Sequence, residues 1–169
     1  MGDKMEFVFV QIIGFIGYSI LALSYFKKSK KEILFLEIIA YIMFTIHYYL
    51  LNGITGAICN LVGLFALIFL YLFDKTKYKK ILAYFFTIVL IIINIIMFQN
   101  IYSIFPMIAS TIVIISFLMS ENEIRKLGII AAICWLVYAI MYKSYIAIIF
   151  EVLTLISVVV AFIKNKRKY

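Results

Sequence analysis

The chain has 169 residues, 67% of them hydrophobic and 14% charged, and a net charge of +8. Soluble domains average roughly 45–50% apolar and about 25% charged residues, so a water-solvated fold is excluded. The basic residues fall in short runs between apolar stretches, where they read as topogenic signals of a membrane protein and not as a nucleic-acid surface.

Seven apolar spans follow one another, near 6–26, 33–51, 54–73, 81–99, 102–119, 127–142 and 145–163. A hydrocarbon core of ~30 Å takes about 20 residues of helix. In lipid the backbone must bond internally, so each span is expected to be helical. Residues 1–6 carry balanced charge and no small-residue cleavage site follows the first span, which therefore reads as an anchor and not as a removable leader.

Gly14 and Gly17 lie within the first span and are candidate hinges. The second span opens after Ser29-x-x-Glu32, the spacing of a capping box in which Ser accepts from a free helix N–H and Glu reaches back. Glu37 lies near its start, where the helix dipole favours a carboxylate. Phe44 and His47 lie toward its other end, and the turn at Asn52-Gly53 is short enough to make the second and third spans antiparallel neighbours. The third span carries Cys59 and Asn60, with Gly56 and Gly63 to either side, and 81–99 reads as a linker helix. The sole proline, Pro106, begins the fifth span as a third hinge candidate. A second capping box, Ser120-x-x-Glu123, opens the sixth, which carries Cys134, Trp135 and Tyr138; the seventh holds Glu151.

The connections at 27–32, 74–80 and 120–126, with the tail at 164–169, hold 14 of the 16 basic residues. Only an odd number of spans places them all on one face. The positive-inside rule then puts the N-terminus outside and the C-terminus in the cytosol.

A shift of 91 residues lays the first three spans on the last three without a gap. Ser19, Phe26, Ser29, Glu32 and Ile33 then meet Ser110, Phe117, Ser120, Glu123 and Ile124. One reading is a chance register between spans of common length. The other is two parallel three-helix repeats, residues 1–80 and 100–169, joined by the linker helix 81–99. Repeats of that kind place a solute site between the halves.

The run from His47 through Leu50-Leu51, Thr55 and Ala57 to Asn60 resembles the signature of the YgjV family of bacterial inner-membrane proteins. Trp135-Leu136-Val137-Tyr138 and Glu151 are similar to that family's second half. The family is similar in layout to the SWEET and PQ-loop transporters, 3+1+3 bundles with the N-terminus outside. The resemblance implies a bacterial inner-membrane protein of all-α, seven-helix, SWEET-like architecture. Two departures stand out. The Pro-Gln pairs of the PQ-loop proteins are missing, since Pro106 is followed by Met107 and has Phe15 as its repeat mate. The facing asparagines of SWEET proteins become Asn60 and Glu151.

Glu151 sits about six residues, or ~9 Å of helix rise, into the last span. An ionised carboxylate is costly there unless paired or wet. It is a candidate proton acceptor or solute ligand; the structural alternative is a protonated acid bonded to a neighbour. Asn60 both donates and accepts, which suits polyols or an interhelical bond equally. Phe44 with Trp135, and His47 with Tyr138, are repeat mates whose rings suit either stacking on a solute or anchoring at the membrane interface. His47, the only histidine, is a candidate pH gate or a cap of the helix end.

The sequence therefore predicts a small-solute transporter or facilitator working by alternating access. Its central cavity would be lined by Asn60, Glu151, Trp135, Phe44, His47 and Tyr138. The alternative is a receptor or assembly partner that uses the same cavity for binding only. No nucleophile–base pair, acid dyad or Cys/His cluster suggests an enzyme, a metal or a cofactor. The expected partners are the lipid bilayer and a small polar solute, with a homo-oligomer open and no nucleic acid.

Overall fold

Every apolar run forms a helix in the computed structural model. It describes residues 2–24, 26–27, 29–73, 76–119 and 121–166, with the side chains of all these except 2–5, 30, 121–122, 124–125 and 157–166. The helices are α1 (Gly2–Ser24), α2 (Lys30–Leu50), α3 (Ile54–Leu72), α4 (Lys79–Ile96), α5 (Ile104–Ser116), α6 (Glu121–Met141) and α7 (Tyr145–Lys166). A 3₁₀ turn, Ile101–Ser103, leads into α5. The described residues include no strand.

Several boundaries differ from those expected. Helices α1, α2 and α6 begin before their apolar runs, because Lys, Glu and Arg are good helix formers and continue the helix past the lipid-compatible stretch. Helix α4 ends at Ile96 and α5 at Ser116, both earlier than their apolar runs. Four helices, within Glu6–Ser24, Lys31–Leu50, Ile54–Leu72 and Lys79–Ile96, are long and apolar enough to cross a membrane, and the apolar parts of the other three are shorter.

Helix α2 packs between α1 and α3, and α6 between α5 and α7. The two groups meet where α3 touches α5 and where α1 touches α7, while α4 lies against α3 and α5. Polar and apolar residues are distributed inside out. Glu37, His47, Asn60, Asn94 and Glu151 are buried, whereas Phe9, Phe15, Tyr84, Ile88, Ile95, Ile149 and Leu153 are exposed. Such an apolar exterior is a surface for lipid tails.

The turns after α2 and α6 use one backbone design. Asn52 and Lys143, 91 residues apart, both take the left-handed conformation, with φ of 59° and 52°. Gly53 N–H bonds to the Tyr48 carbonyl at 2.8 Å, and Ser144 N–H to the Ala139 carbonyl at 3.0 Å. These six-residue closures satisfy carbonyls that a helix end leaves free. A lysine has no local hydrogen bond to offset that conformation, which costs a non-glycine residue roughly 1–2 kcal/mol. Lys143→Gly is expected to raise the thermal midpoint of the detergent-solubilised protein, and Asn52→Gly to raise it less. Circular dichroism melts check both.

Helix starts are capped across the bundle. Gly56 N–H, one of the free donors in the first turn of α3, donates to the Tyr138 hydroxyl of α6 at 2.8 Å. Ile146 N–H, in the first turn of α7, donates to Gln11 Oε1 of α1 at 3.2 Å. The expected capping box at α2 is corrected in part. Ser29 holds the N-cap position with extended backbone, but its side chain makes no capping bond. It is exposed, so water is available to its hydroxyl instead. Ser120 lies outside the described residues, and Glu123 is exposed near the start of α6. Glu37 is also repositioned: with α2 starting at Lys30 it stands two turns in, beyond the reach of the dipole, and it is buried.

Candidate functional site

The α1–α7 contact brings together two polar groups from the two ends of the chain. Tyr18 of α1 donates its hydroxyl to Glu151 Oε1 at 3.1 Å, and both residues are buried. A charged or polar group held away from water is tolerable only with such a partner. Tyr48 of α2 also lies within electrostatic reach of Glu151. Its hydroxyl is buried near those of Tyr18 and Ser144, without a hydrogen bond of ordinary geometry to either.

His47 is wholly buried and tied at both nitrogens. Nδ1 is 2.8 Å from the Val10 carbonyl of α1, and Nε2 is 2.7 Å from Ser144 Oγ in the α6–α7 turn. A carbonyl only accepts, so the proton belongs on Nδ1, and in the neutral ring Nε2 accepts from Ser144. Helix α1 comes close enough for this because Gly14 has no side chain. A Cβ there would lie 2.7 Å from the imidazole Cε1. Gly17 serves the same approach, since its Cβ would lie 2.9 Å from the Phe44 ring. Both glycines, expected as hinges, stand at close helix contacts.

The aromatic residues of the site rest on two tyrosines. Phe44 packs on Tyr18, with ring centroids 4.6 Å apart, and Trp135 stacks on Tyr48 at 5.4 Å. Tyr138 also packs against Tyr48 at 5.4 Å. Phe44 and Trp135 thus each take a tyrosine as partner, where the sequence suggested a solute between them. All six expected lining residues are buried, none more than 9% exposed. In this structure these side chains are buried among one another and among the two tyrosines. Among the described residues, clefts lie elsewhere. One of about 320 Å³ is lined by Asn94, Ile95, Phe98, Ser103, Ile104 and Met107, and one of about 480 Å³ includes Lys31, Phe35 and Tyr71.

Asn60 is buried and bonds within its own helix. Its amide nitrogen donates to the Gly56 carbonyl, one turn back on α3, at 3.0 Å. Pro106, in the first turn of α5, stands just after the 3₁₀ segment, where its missing N–H interrupts no helical bond. Both cysteines are free thiols in the core, and Cys59 contacts Asn94 of α4 through the asparagine amide nitrogen at 3.2 Å. Among the described residues no group of three or more His, Cys, Asp or Glu could hold a metal.

Sequence reasoning passed over Tyr18, Tyr48 and Ser144. Tyr18 had a signal, a phenol in the middle of an apolar span, but its nearness to Glu151, 133 residues away, had none. Tyr48 and Ser144 had none beyond adjacency to His47 and to a tight turn, because their roles depend on contacts about a hundred residues apart.

A family model described as a bacterial inner membrane protein, Imp-YgjV, matches residues 8–169. No curated protein and no solved structure matches the chain.

Proposed function

The chain belongs to the Imp-YgjV family of bacterial inner membrane proteins, and from that premise we propose that it is a small-solute transporter or facilitator. The observation that carries this reading is the buried Tyr18–Glu151 bond, an ionisable group held at the seam between the first and last helices. Intramembrane acids are expensive to keep and concentrate where substrates or ions pass. In this reading all seven helices span the bilayer, with the N-terminus outside and the C-terminus in the cytosol, and the partners are lipid and a small polar solute.

Two parallel repeats, α1–α3 and α5–α7, move against each other about the linker α4. The shared turn design at Asn52 and Lys143 supports that arrangement, as does the matched packing of α3 on α5 and of α7 on α1. Glu151 and Asn60 supply polar contacts to the solute, and Phe44, Trp135, His47 and Tyr138 close the path above it. The packed interior corresponds to an occluded form, and opening one end separates Trp135 from Tyr48. No catalytic step or cofactor enters this reading. The closed packing of the six side chains also favours a second reading, a receptor or assembly partner without flux.

A thermal-shift screen of the purified protein against sugars, nucleosides, vitamins and amino acids tests the site. A ligand at about a hundred times its dissociation constant adds roughly 2.7 kcal/mol to the native state. The expected result is a stabilising class whose effect is lost in Glu151→Gln, followed by uptake of that class into proteoliposomes. Binding without uptake in sealed vesicles selects the receptor reading, and a blank in both assays sinks the transport reading.

A further inference from the structure

A cleft of about 480 Å³ lies where the start of α2 meets the end of α3. That volume is within the roughly 300–1,000 Å³ of small-molecule sites. Lys27, Ser29, Lys31 and Glu32 give its lining charge and polarity, and Phe35, Leu36 and Tyr71 give it apolar surface. Two lysines against one glutamate leave the lining net positive. The cleft at Asn94 and Ser103 has no charged group in its lining, so the two clefts are chemically distinct.

Tyr71 of α3 ties the charged and apolar parts together. The Lys31 ammonium is 5.1 Å from the centroid of its ring, within the range of a cation–π contact. The Phe35 ring packs on the same tyrosine, with centroids 6.5 Å apart. Lys31 and Phe35 are four residues apart, so they share one face of α2, with the phenylalanine one turn further along the span. Lys27, Lys31 and Phe35 are all exposed, and nothing within the described bundle covers them.

Charge followed by apolar surface over a single turn matches an amphiphile standing at a membrane interface. A soluble anion would answer the lysines and leave Phe35 and Leu36 uncovered. A lipid without net charge would cover the rings and leave the lysines without a counter-charge. An anionic phospholipid satisfies both parts, and basic pockets beside membrane helices are suited to such headgroups.

We propose that this cleft binds an anionic phospholipid, with its phosphate between Lys27 and Lys31 and an acyl chain along Phe35 and Leu36. The Ser29 hydroxyl, which makes no capping bond, is free to donate to the phosphate. Glu32 opposes the same phosphate and sets an upper limit on affinity. In the topology given above the lipid belongs to the cytosolic leaflet; that placement rests on the transport reading, and the binding itself does not.

The test is native mass spectrometry of the full-length protein in detergent, with melting curves of the same mixtures. The probes are phosphatidylglycerol, phosphatidylcholine with the same chains, and glycerol 3-phosphate. Phosphatidylglycerol alone is expected to stay bound and to raise the melting midpoint. The double variant Lys27→Gln/Lys31→Gln is expected to weaken that binding about tenfold or more, and Glu32→Gln to tighten it. Lys77→Gln/Lys80→Gln removes the same charge from exposed residues of the α3–α4 connection outside the cleft, and is expected to bind as wild type does. All five side chains are exposed, so the lipid-free variants are expected to melt near wild type.

Equal weakening in the two double variants overturns the site in favour of diffuse attraction. Equal retention of phosphatidylcholine removes the role of the lysines, and equal stabilisation by glycerol 3-phosphate removes the role of the apolar wall; either overturns the proposal. A blank in the solute screen bears on the transport reading and leaves the lipid result standing.

Discussion

Gly56→Val is expected to lower the melting midpoint of the detergent-solubilised protein sharply, by a loss of about 2–4 kcal/mol in stability from overpacking plus a broken hydrogen bond. A Cβ at Gly56 would overlap Tyr138 Cε1 and lie 3.0 Å from Cζ of the same ring. Tyr138 has nowhere to go. It is completely buried, packed against Tyr48 and Tyr142, and its hydroxyl accepts from the Gly56 amide itself. Moving the ring therefore also strips the cap from the start of α3. Gly128→Ala, on the neighbouring helix α6, is the control, since a Cβ there meets nothing within 4 Å. It is expected to be stabilising by up to about 1 kcal/mol, because alanine is the better helix former. Equal losses in the two variants would contradict this account, which depends on contact and not on the loss of a glycine.

At Glu151 the two obvious substitutions are expected to separate fold from function. Glu151→Ala leaves a cavity and strands the Tyr18 hydroxyl in the core, for a combined cost of roughly 3–5 kcal/mol. Glu151→Gln keeps the shape and an oxygen that accepts from Tyr18, so its melting midpoint is expected to stay close to wild type. It removes the ability to take up a proton, so any pH dependence of ligand-induced stabilisation or of uptake is expected to vanish with it. Melting curves of the three proteins across pH, with and without a ligand from the thermal-shift screen, read both effects. A Glu151→Gln protein as unstable as Glu151→Ala would mean that the carboxylate is needed as a structural charge and not as a titrating site.

Much of this molecule could be read before folding. A chain with so few charges has no soluble solution, and each long apolar run has only the helix available to it in lipid. The number of helices, their order and the tight turns at Asn52 and Lys143 follow from that local arithmetic, since a two-residue break leaves the chain no choice but to reverse. The run from His47 to Asn60 carried enough of a signature to suggest the family.

Glu151, His47, Trp135 and Tyr138 were legible as candidates because ionisable and aromatic groups are conspicuous in an apolar background. Their partners were not. Whether Asn60 bonds across to another helix or to its own, and whether Gly14 bends α1 or lets His47 approach it, depends on how far apart two helix axes come to rest. Such distances are set by side chains on both helices at once, some from opposite ends of the chain. Composition and spacing determined that polar groups lie inside an apolar bundle. Only the tertiary structure decided which of them meet, because a hydrogen bond is made within about 3 Å and no periodicity along one helix carries information at that range about another.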